Sequence, residues 1–149
     1  MFILQIKAED RGVPRRSATT FVNITLSDVN NRLPQFSNQL YIQYMNEDDP
    51  VGSKVLQVNA YDLDEDSELR FSIDSSSYEA KDSFNRPVTS TSDYNFKNGF
   101  SINEKSGEIV TRLPFNREVV AFISFHIVVV DINSDSSELQ ESSARVKLI

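Results

Sequence analysis

The chain has 149 residues, which is enough for one ordinary domain or for one small domain and part of a second. Its 15 basic and 22 acidic residues give a formal net charge of -7, which argues against a nucleic-acid partner because phosphate binding needs clustered Lys and Arg. There is no cysteine and a single histidine, His126, so disulfides, thiolate metal sites, Cys nucleophiles and His-rich metal sites are excluded. No apolar run approaches the ~18 residues of a membrane-spanning helix.

The first 27 residues predict a β-hairpin. Apolar and polar residues alternate over 2–8 and again over 20–26, and a turn with Gly and Pro lies between the two segments. The chain starts within the first alternating segment and lacks the basic region and cleavage site of a signal peptide, so we expect it to be a piece of a longer protein. The polar segment 28–34, which ends at a proline, is the expected boundary between two modules.

The remainder of the chain predicts a β-sandwich. Short apolar segments alternate with turn residues, and no helical period of 3.6 persists, so the predicted fold is an all-β, seven-strand Greek-key sandwich over residues 35–149. The Ser-, Asn- and Asp-rich stretch 74–97 exceeds the usual loop length and is interpreted as a loop inserted in the sandwich. The seven strand candidates are residues 39–45, 51–60, 69–73, 100–102, 108–111, 122–130 and 144–149.

Acidic side chains stand at the ends of several strand candidates, where ligands of a hard cation would be expected. Asp62 and Asp64 follow the second candidate, and because alternate residues of an extended segment point the same way, their carboxylates are expected to converge. Asp131 directly follows the apolar segment 125–130. Converging carboxylates repel one another unless a cation neutralises them, and calcium, with about six to eight oxygen ligands, is the usual cation. A single Asp-x-Asp is more often a solvated turn, so the prediction depends on the order and spacing of the whole set.

Several motifs together resemble the extracellular repeats of the cadherin family. AEDRGVP at 8–14 matches the family's A-x-D-x-G-x-P turn, and DVNNRLPQF at 28–36 matches its linker D-x-N-D-N-x-P-x-F except at Asn31 and Arg32. The resemblance covers nearly the whole chain apart from 74–97. Further matches are Asp62 and Asp64 for the family's D-x-D, PFNRE at 114–118 for its L-D-R-E with Asn in place of Asp, SINEKSGEI at 101–109 for its I-D-x-x-T-G-x-I hairpin, and VDIN at 130–133 for a second A-x-D-x-G turn without the Gly and Pro.

The resemblance implies a domain organisation and a function. Residues 1–27 would be the last two strands of one repeat, 28–34 a calcium-binding linker, and 35–149 a complete repeat with the insertion at 74–97. The implied function is calcium-dependent cell–cell adhesion, with Ca²⁺ stiffening a rod-like, non-enzymatic ectodomain. The implied location is the extracellular part of a single-pass plasma-membrane protein. Neighbouring cadherin repeats would be the partners in cis and another cadherin the partner in trans.

The resemblance also implies a set of calcium ligands. In the family, three calcium ions bridge each linker, and the ion nearest the following repeat takes side chains from the linker and from two loops of that repeat, together with two backbone carbonyls. The corresponding groups here are the side chains of Asn30, Asp62, Asp64 and Asp131 and the carbonyls of Arg32 and Asp66.

Two residues of the linker depart from the family pattern. Asn31 replaces the linker's second Asp and Arg32 adds a positive charge, so fewer or more weakly bound ions and a more flexible joint are expected. Equal calcium affinity after Asn31→Asp would count against this expectation. Glu47, Asn116 and Glu118 would belong to the joint with a following repeat and Asp10 to the joint with a preceding one, and both sets would be incomplete within this chain.

Two other functions can be weighed against the adhesion repeat. Paired carboxylates are also found in glycosidases, but no apolar pocket with an embedded acid is visible, which argues against an enzyme. A calcium-dependent ligand- or carbohydrate-binding sandwich remains open. It would need aromatic residues near Asp62 and Asp131, and Tyr61 is the adjacent one.

The hairpin suggests a modification and a mode of self-association. Asn23 begins an N-x-T sequon and alternates outward from Val22 and Ile24, so it is a candidate glycosylation site. An isolated hairpin is marginal in water and its edges invite pairing, so residues 1–27 are expected to fray or to form a strand-swapped homodimer.

Overall fold

The computed structural model describes residues 1–133 and 140–149, and these residues confirm the all-β prediction. They contain no α-helix, and so no helix that could cross a membrane. The strands are β1 (Phe2–Glu9), β2 (Ser17–Ile24), β3 (Gln35–Phe36), β4 (Leu40–Gln43), β5 (Lys54–Gln57), β6 (Ala60–Tyr61), β7 (Leu69–Lys81), β8 (Phe100–Ile102), β9 (Glu108–Thr111), β10 (Phe122–Asp131) and β11 (Gln140–Leu148), with a 3₁₀ turn at Phe96–Asn98.

The strands after the linker form the predicted sandwich. One sheet has the order β4-β11-β10-β7, the other has the order β5-β9-β8, and β3 pairs with β6. Strand β4 runs parallel to β11, whereas the remaining pairs are antiparallel. The predicted strand 51–60 is divided into β5 and β6, because residues 54–57 pair with β9 whereas residues 60–61 pair with β3. The two-residue strand β3, next to Pro34, was not predicted.

The core lies between the two sheets, and alternate residues of β10 form part of it. Ile123, Phe125, Ile127 and Val129 are each at most 5% exposed, whereas His126 points outward, as predicted from its position in the alternation. The ring of Phe125 lies 4.9 Å from Tyr78 and 5.4 Å from Phe100, so aromatic contacts join the sheets. Other buried residues of this core include Val58, Ile109, Ala144, Val146 and Leu148.

The stretch 74–97 is not a loop throughout, because β7 continues to Lys81 and pairs with β10. Its pairing shifts in register between Asp74 opposite His126 and Glu79 opposite Ser124. The Ser77 hydroxyl accepts a hydrogen bond from the His126 N–H at 2.7 Å, which replaces a missing ladder bond at this bulge. The bulge breaks the alternation of side chains, which explains why the sequence pattern did not predict the extension of β7.

The first two strands form the predicted hairpin as a two-stranded sheet of their own. Phe2 lies opposite Ile24, and Leu4 lies opposite Val22. Every residue of both strands is exposed, including these apolar side chains. The hairpin therefore presents an apolar face that the described residues do not cover.

Candidate functional site

The linker, residues 28–34, is held on the sandwich near both ends. Asn30 is 5% exposed, and Pro34 is fully buried beside β3. Phe36 of β3 enters the core, with its ring 6.1 Å from that of Phe71. The path of the linker is therefore fixed by packing as well as by polar contacts.

Asp64 makes the closest polar contacts with the linker. Its Oδ2 accepts hydrogen bonds from the backbone N–H groups of Asn31 at 2.8 Å and Arg32 at 2.7 Å. The Arg32 Nε lies 3.4 Å from Oδ1, and the Asp64 side chain is only 2% exposed. Two N–H groups and a guanidinium thus offset the cost of burying this carboxylate.

Asp62 lies in a turn, and the expected extended segment is not formed. Its Oδ1 accepts the Asp64 N–H at 2.9 Å, and residues 62–68 form the turns between β6 and β7. The other oxygen, Oδ2, is buried and has no hydrogen-bond partner among the described residues. The argument that alternate residues of an extended chain would converge is therefore wrong here, because an Asx turn replaces that geometry.

Asp131 ends β10 and is 1% exposed. Its Oδ1 accepts hydrogen bonds from the N–H groups of Glu68 at 2.8 Å and Asn133 at 3.0 Å. Its Oδ2 is buried and also lacks a partner within the described parts of the chain. The Asn133 side-chain amide donates to the Asp66 carbonyl at 3.2 Å, so the end of β10 and the 62–68 loop are joined.

A polar cavity of about 260 Å³ lies where these segments meet. The Glu65 N–H points to Asp28 Oδ2 at 3.4 Å across it, which connects the loop to the start of the linker. Most of its wall is acidic, which favours a cation over an anion. The lining residues are Asp28, Asn30, Glu65, Asp66 and Asn133.

Three of the cavity residues were not in the predicted ligand set. Asp28 is the first residue of the linker motif, Glu65 belongs to the acidic run after β6, and Asn133 ends the turn at 130–133. Their motif positions were visible in the sequence. Their meeting at one cavity depends on contacts between distant segments, which the sequence pattern does not specify.

The predicted ligands share one end of the sandwich without forming a ready cluster. Within residues 1–133 and 140–149, no group of three or more Asp, Glu or His side chains is arranged to hold a metal ion. Asp62 and Asp64 are joined by the turn, and Asp131 is tied to the same loop through Glu68. Asp64 faces the linker, which explains why the three carboxylates do not converge.

Asp10 and Asp131 occupy equivalent turns. Asp10 Oδ1 accepts the Gly12 N–H at 3.0 Å and the Arg16 N–H at 2.8 Å. The same bonds, from Arg16 first and then from Gly12, lower the pKa of the Asp10 carboxyl from its usual value. Asp131 accepts from the residue two positions later in the same way. This shared geometry supports the match of VDIN at 130–133 to the turn at 8–14.

The residues assigned to a following joint lie at the other end of the sandwich. Asn116 and Glu118 precede β10, whereas Asp131 ends it. The Arg117 N–H donates to Glu47 Oε2 at 3.3 Å, and the Glu118 N–H donates to Asn116 Oδ1 at 2.8 Å. Glu47 and the 116–118 turn are therefore adjacent, and their part in metal binding stays a prediction.

Asn23 and Tyr61 bear on the remaining expectations. Asn23 is exposed on β2 opposite Ile3, so it is accessible, and its glycosylation stays a prediction that loss of mass after glycosidase treatment would test. The Tyr61 hydroxyl donates to Gln35 Oε1 at 3.0 Å. This contact gives the carbohydrate-binding alternative no support.

Comparison with known proteins identifies the family. No family model matches the chain. It is 32% identical over 145 residues to cadherin-23 of Rattus norvegicus, across 97% of the chain and 4% of that relative. It is 35% identical over 135 residues to the Fat-like cadherin-related tumor suppressor homolog of Drosophila melanogaster, across 87% of the chain and 2% of that relative. The solved structure of mouse clustered PcdhgC3 EC1-3 superposes with a TM-score of 0.75 at 26% identity, across 99% of this chain and 42% of that one.

The chain thus spans a small part of the length of these relatives. Cadherins are adhesion proteins without enzymatic activity, and most are membrane-anchored with extracellular repeats, which excludes the glycosidase alternative. By its motifs, its β-sandwich and its relatives, the chain belongs to the cadherin superfamily and consists of extracellular cadherin-repeat sequence.

Proposed function

We propose that this chain is a calcium-binding structural segment of an extracellular adhesion rod, with an ion held between the linker and the sandwich. The observation that carries the proposal is the pair of buried oxygens, Asp62 Oδ2 and Asp131 Oδ2, that lack a hydrogen-bond partner among the described residues. A buried, unpaired carboxylate oxygen is costly, and a hard cation with oxygen ligands removes that cost.

The chemistry of the surrounding groups fits calcium. They are carboxylates, amides and backbone carbonyls, which are the ligands that this ion prefers. The ion would add positive charge beside the acidic cavity, which Asn30 and Asp66 line, and would connect the linker to both loops. Asp64 would have to exchange its contacts with the linker to join the ligands. The proposed ligands are the side chains of Asn30, Asp62, Asp64 and Asp131 and the carbonyls of Arg32 and Asp66.

An ion in this place would restrict the linker and so stiffen the connection between successive modules. In the proposal, residues 1–27 end one repeat and 35–149 form the next. The parent protein would be a single-pass plasma-membrane protein that mediates cell–cell adhesion, with neighbouring repeats in cis and another cadherin in trans. Asn31, which lacks the charge of the family's Asp, would weaken ion binding at this joint.

Thermal unfolding in EGTA and in calcium, with Asp62→Asn and the exposed Asp93→Asn as a matched control, tests the proposal. With dissociation constants of about 10⁻⁴ to 10⁻³ M, about 10 mM calcium should stabilise the unchanged chain by roughly 1.4 to 2.7 kcal/mol. Asp93→Asn should keep this gain. Asp62→Asn should lose most of it, because the amide retains the turn acceptor but removes a charged ligand oxygen.

The measurement in EGTA separates a ligand from a structural residue. Asp62→Asn removes a negative charge whose Oδ2 is buried without a hydrogen-bond partner among the described residues and keeps the oxygen that accepts the Asp64 N–H, so without calcium it should be at least as stable as the unchanged chain. An unchanged midpoint on adding calcium to the parent chain would refute the proposed function. So would a calcium gain that survives in Asp62→Asn.

A further inference from the structure

The buried carboxylate of Asp64 already has a positive partner supplied by the chain. Both of its oxygens contact the linker, one through two backbone N–H groups and the other through the Arg32 guanidinium. No other basic side chain pairs with Asp64 in the described parts of the chain. Arg32 therefore occupies the position of a counter-ion at the site where calcium binding is proposed.

The two partners differ sharply in their exposure. The Arg32 side chain is 59% exposed, whereas that of Asp64 is 2% exposed. The guanidinium can therefore leave for solvent while the carboxylate stays in place. While Arg32 stays in contact with Asp64, its positive charge repels an approaching cation. The cation can reach the carboxylate once the guanidinium has moved away from it.

We propose that Arg32 is a built-in counter-ion that locks the linker to Asp64 in the absence of calcium and that calcium must displace. This inference rests on the proposed calcium function. It predicts a joint that keeps its linker seated at low calcium and that binds calcium more weakly than the same joint without the arginine. In this proposal, Arg32 does more than weaken calcium binding. It also makes the seating of the linker less dependent on calcium.

The variant Arg32→Asn tests this proposal, with Arg112→Asn as a control of equal charge change. Arg112 follows β9 and makes no ion pair with the residues that the structure describes. Titration calorimetry with CaCl₂ measures affinity, and hydrogen exchange in EGTA measures the protection of the Asn31 amide, which donates to Asp64. Removal of an ion pair with one exposed partner should raise calcium affinity about 2- to 5-fold and lower protection of that amide by a similar factor.

The two readouts distinguish the possible failures. Suppose that the parent chain binds calcium and that Arg32→Asn changes its affinity no more than Arg112→Asn does. The proposal that calcium must displace Arg32 is then overturned, while the proposed function stands. If neither the parent chain nor Arg32→Asn binds calcium, the proposed function fails, and the displacement of Arg32 by calcium fails with it. Protection of the Asn31 amide in EGTA then still tests whether Arg32 holds the linker on Asp64. Loss of protection in Arg32→Asn alone supports this role, and equal protection in both variants overturns it.

Discussion

Among single residues, Tyr78 has a buried hydroxyl in the apolar core, where neither a group of the described residues nor the proposed cation site is at hand to pair with it. Its hydroxyl is buried and lacks a hydrogen-bond partner among the described residues, and its ring lies 4.9 Å from Phe125 in the core. Asp62 and Asp131 also have unpaired oxygens, but they lie in or beside loops at the linker, where a cation can serve them. The unpaired groups therefore divide into two carboxylates of the proposed calcium site and a core residue that costs stability.

The change Tyr78→Phe should raise the free energy of unfolding by about 1 kcal/mol, because it removes a desolvated hydroxyl and keeps the ring. Tyr61→Phe is the matched control, since the Tyr61 hydroxyl is hydrogen-bonded to Gln35 near the surface. Urea unfolding at neutral pH measures both effects. A clear loss of stability in Tyr78→Phe would contradict the prediction and would mean that the hydroxyl has a partner.

The same residue sets an alkaline pH dependence. Burial raises the pKa of Tyr78 from 10.0 to about 12. Ionisation of Tyr78 therefore leaves stability unaffected below pH 10, and stability falls as the pH rises from 10 towards 12, because the unfolded chain ionises first. Urea unfolding across this range should show a smaller loss in Tyr78→Phe than in the parent chain, and equal losses would count against the assignment.

At the scale of elements, the hairpin of β8 and β9 depends on Gly107. Its φ of +70° lies in the left-handed region, and a Cβ there would stand 2.5 Å from the carbonyl oxygen of Val58. Gly52 also has a positive φ, +92°, but a Cβ there would meet nothing within 4 Å. A side chain at Gly52 would therefore cause backbone strain alone, whereas a side chain at Gly107 would cause both backbone strain and steric overlap.

Gly52→Ala should cost about 1 to 2 kcal/mol from backbone strain alone. Gly107→Ala should cost about 1 to 3 kcal/mol more, because the fully buried Val58 has little room to move. Chemical denaturation of the two variants gives the difference. Equal losses would show that the β5–β9 contact adjusts to the added methyl group.

The elements also show how far sequence patterns reach. The alternation of residues in β10 predicted its core residues and the outward direction of His126, because its inward-facing apolar side chains occupy every second position. The extension of β7 was missed, because the bulge opposite Ser124 and His126 removes that alternation. The motif assigned Asp64 to the linker joint as a calcium ligand, which stays a prediction, and the structure shows its side chain in contact with the linker. Its pairing with Arg32 joins residues 32 apart and cannot be read from local spacing.

At the scale of the whole molecule, the hairpin and the sandwich contain the same kind of turn in different surroundings. The turn at Asp10 and the turn at Asp131 share one hydrogen-bond pattern. The second belongs to a packed sandwich, whereas the first belongs to a hairpin whose residues are all exposed. The apolar face of this hairpin is thus the surface through which the 149-residue chain would associate with itself.

A concentration-dependent dimer of the chain is therefore expected, formed by exchange or pairing of β1 and β2. Leu4, which is 50% exposed on the face it shares with Val22, should be central to it. Leu4→Lys should weaken the dimer about tenfold or more, since burial of one Leu contributes about 1.5 to 3 kcal/mol. Ile3→Lys, on the opposite face, carries the same charge and should weaken it less. Sedimentation velocity over a range of concentrations measures this difference, and a monomer at every concentration with a well-protected hairpin would rule the dimer out.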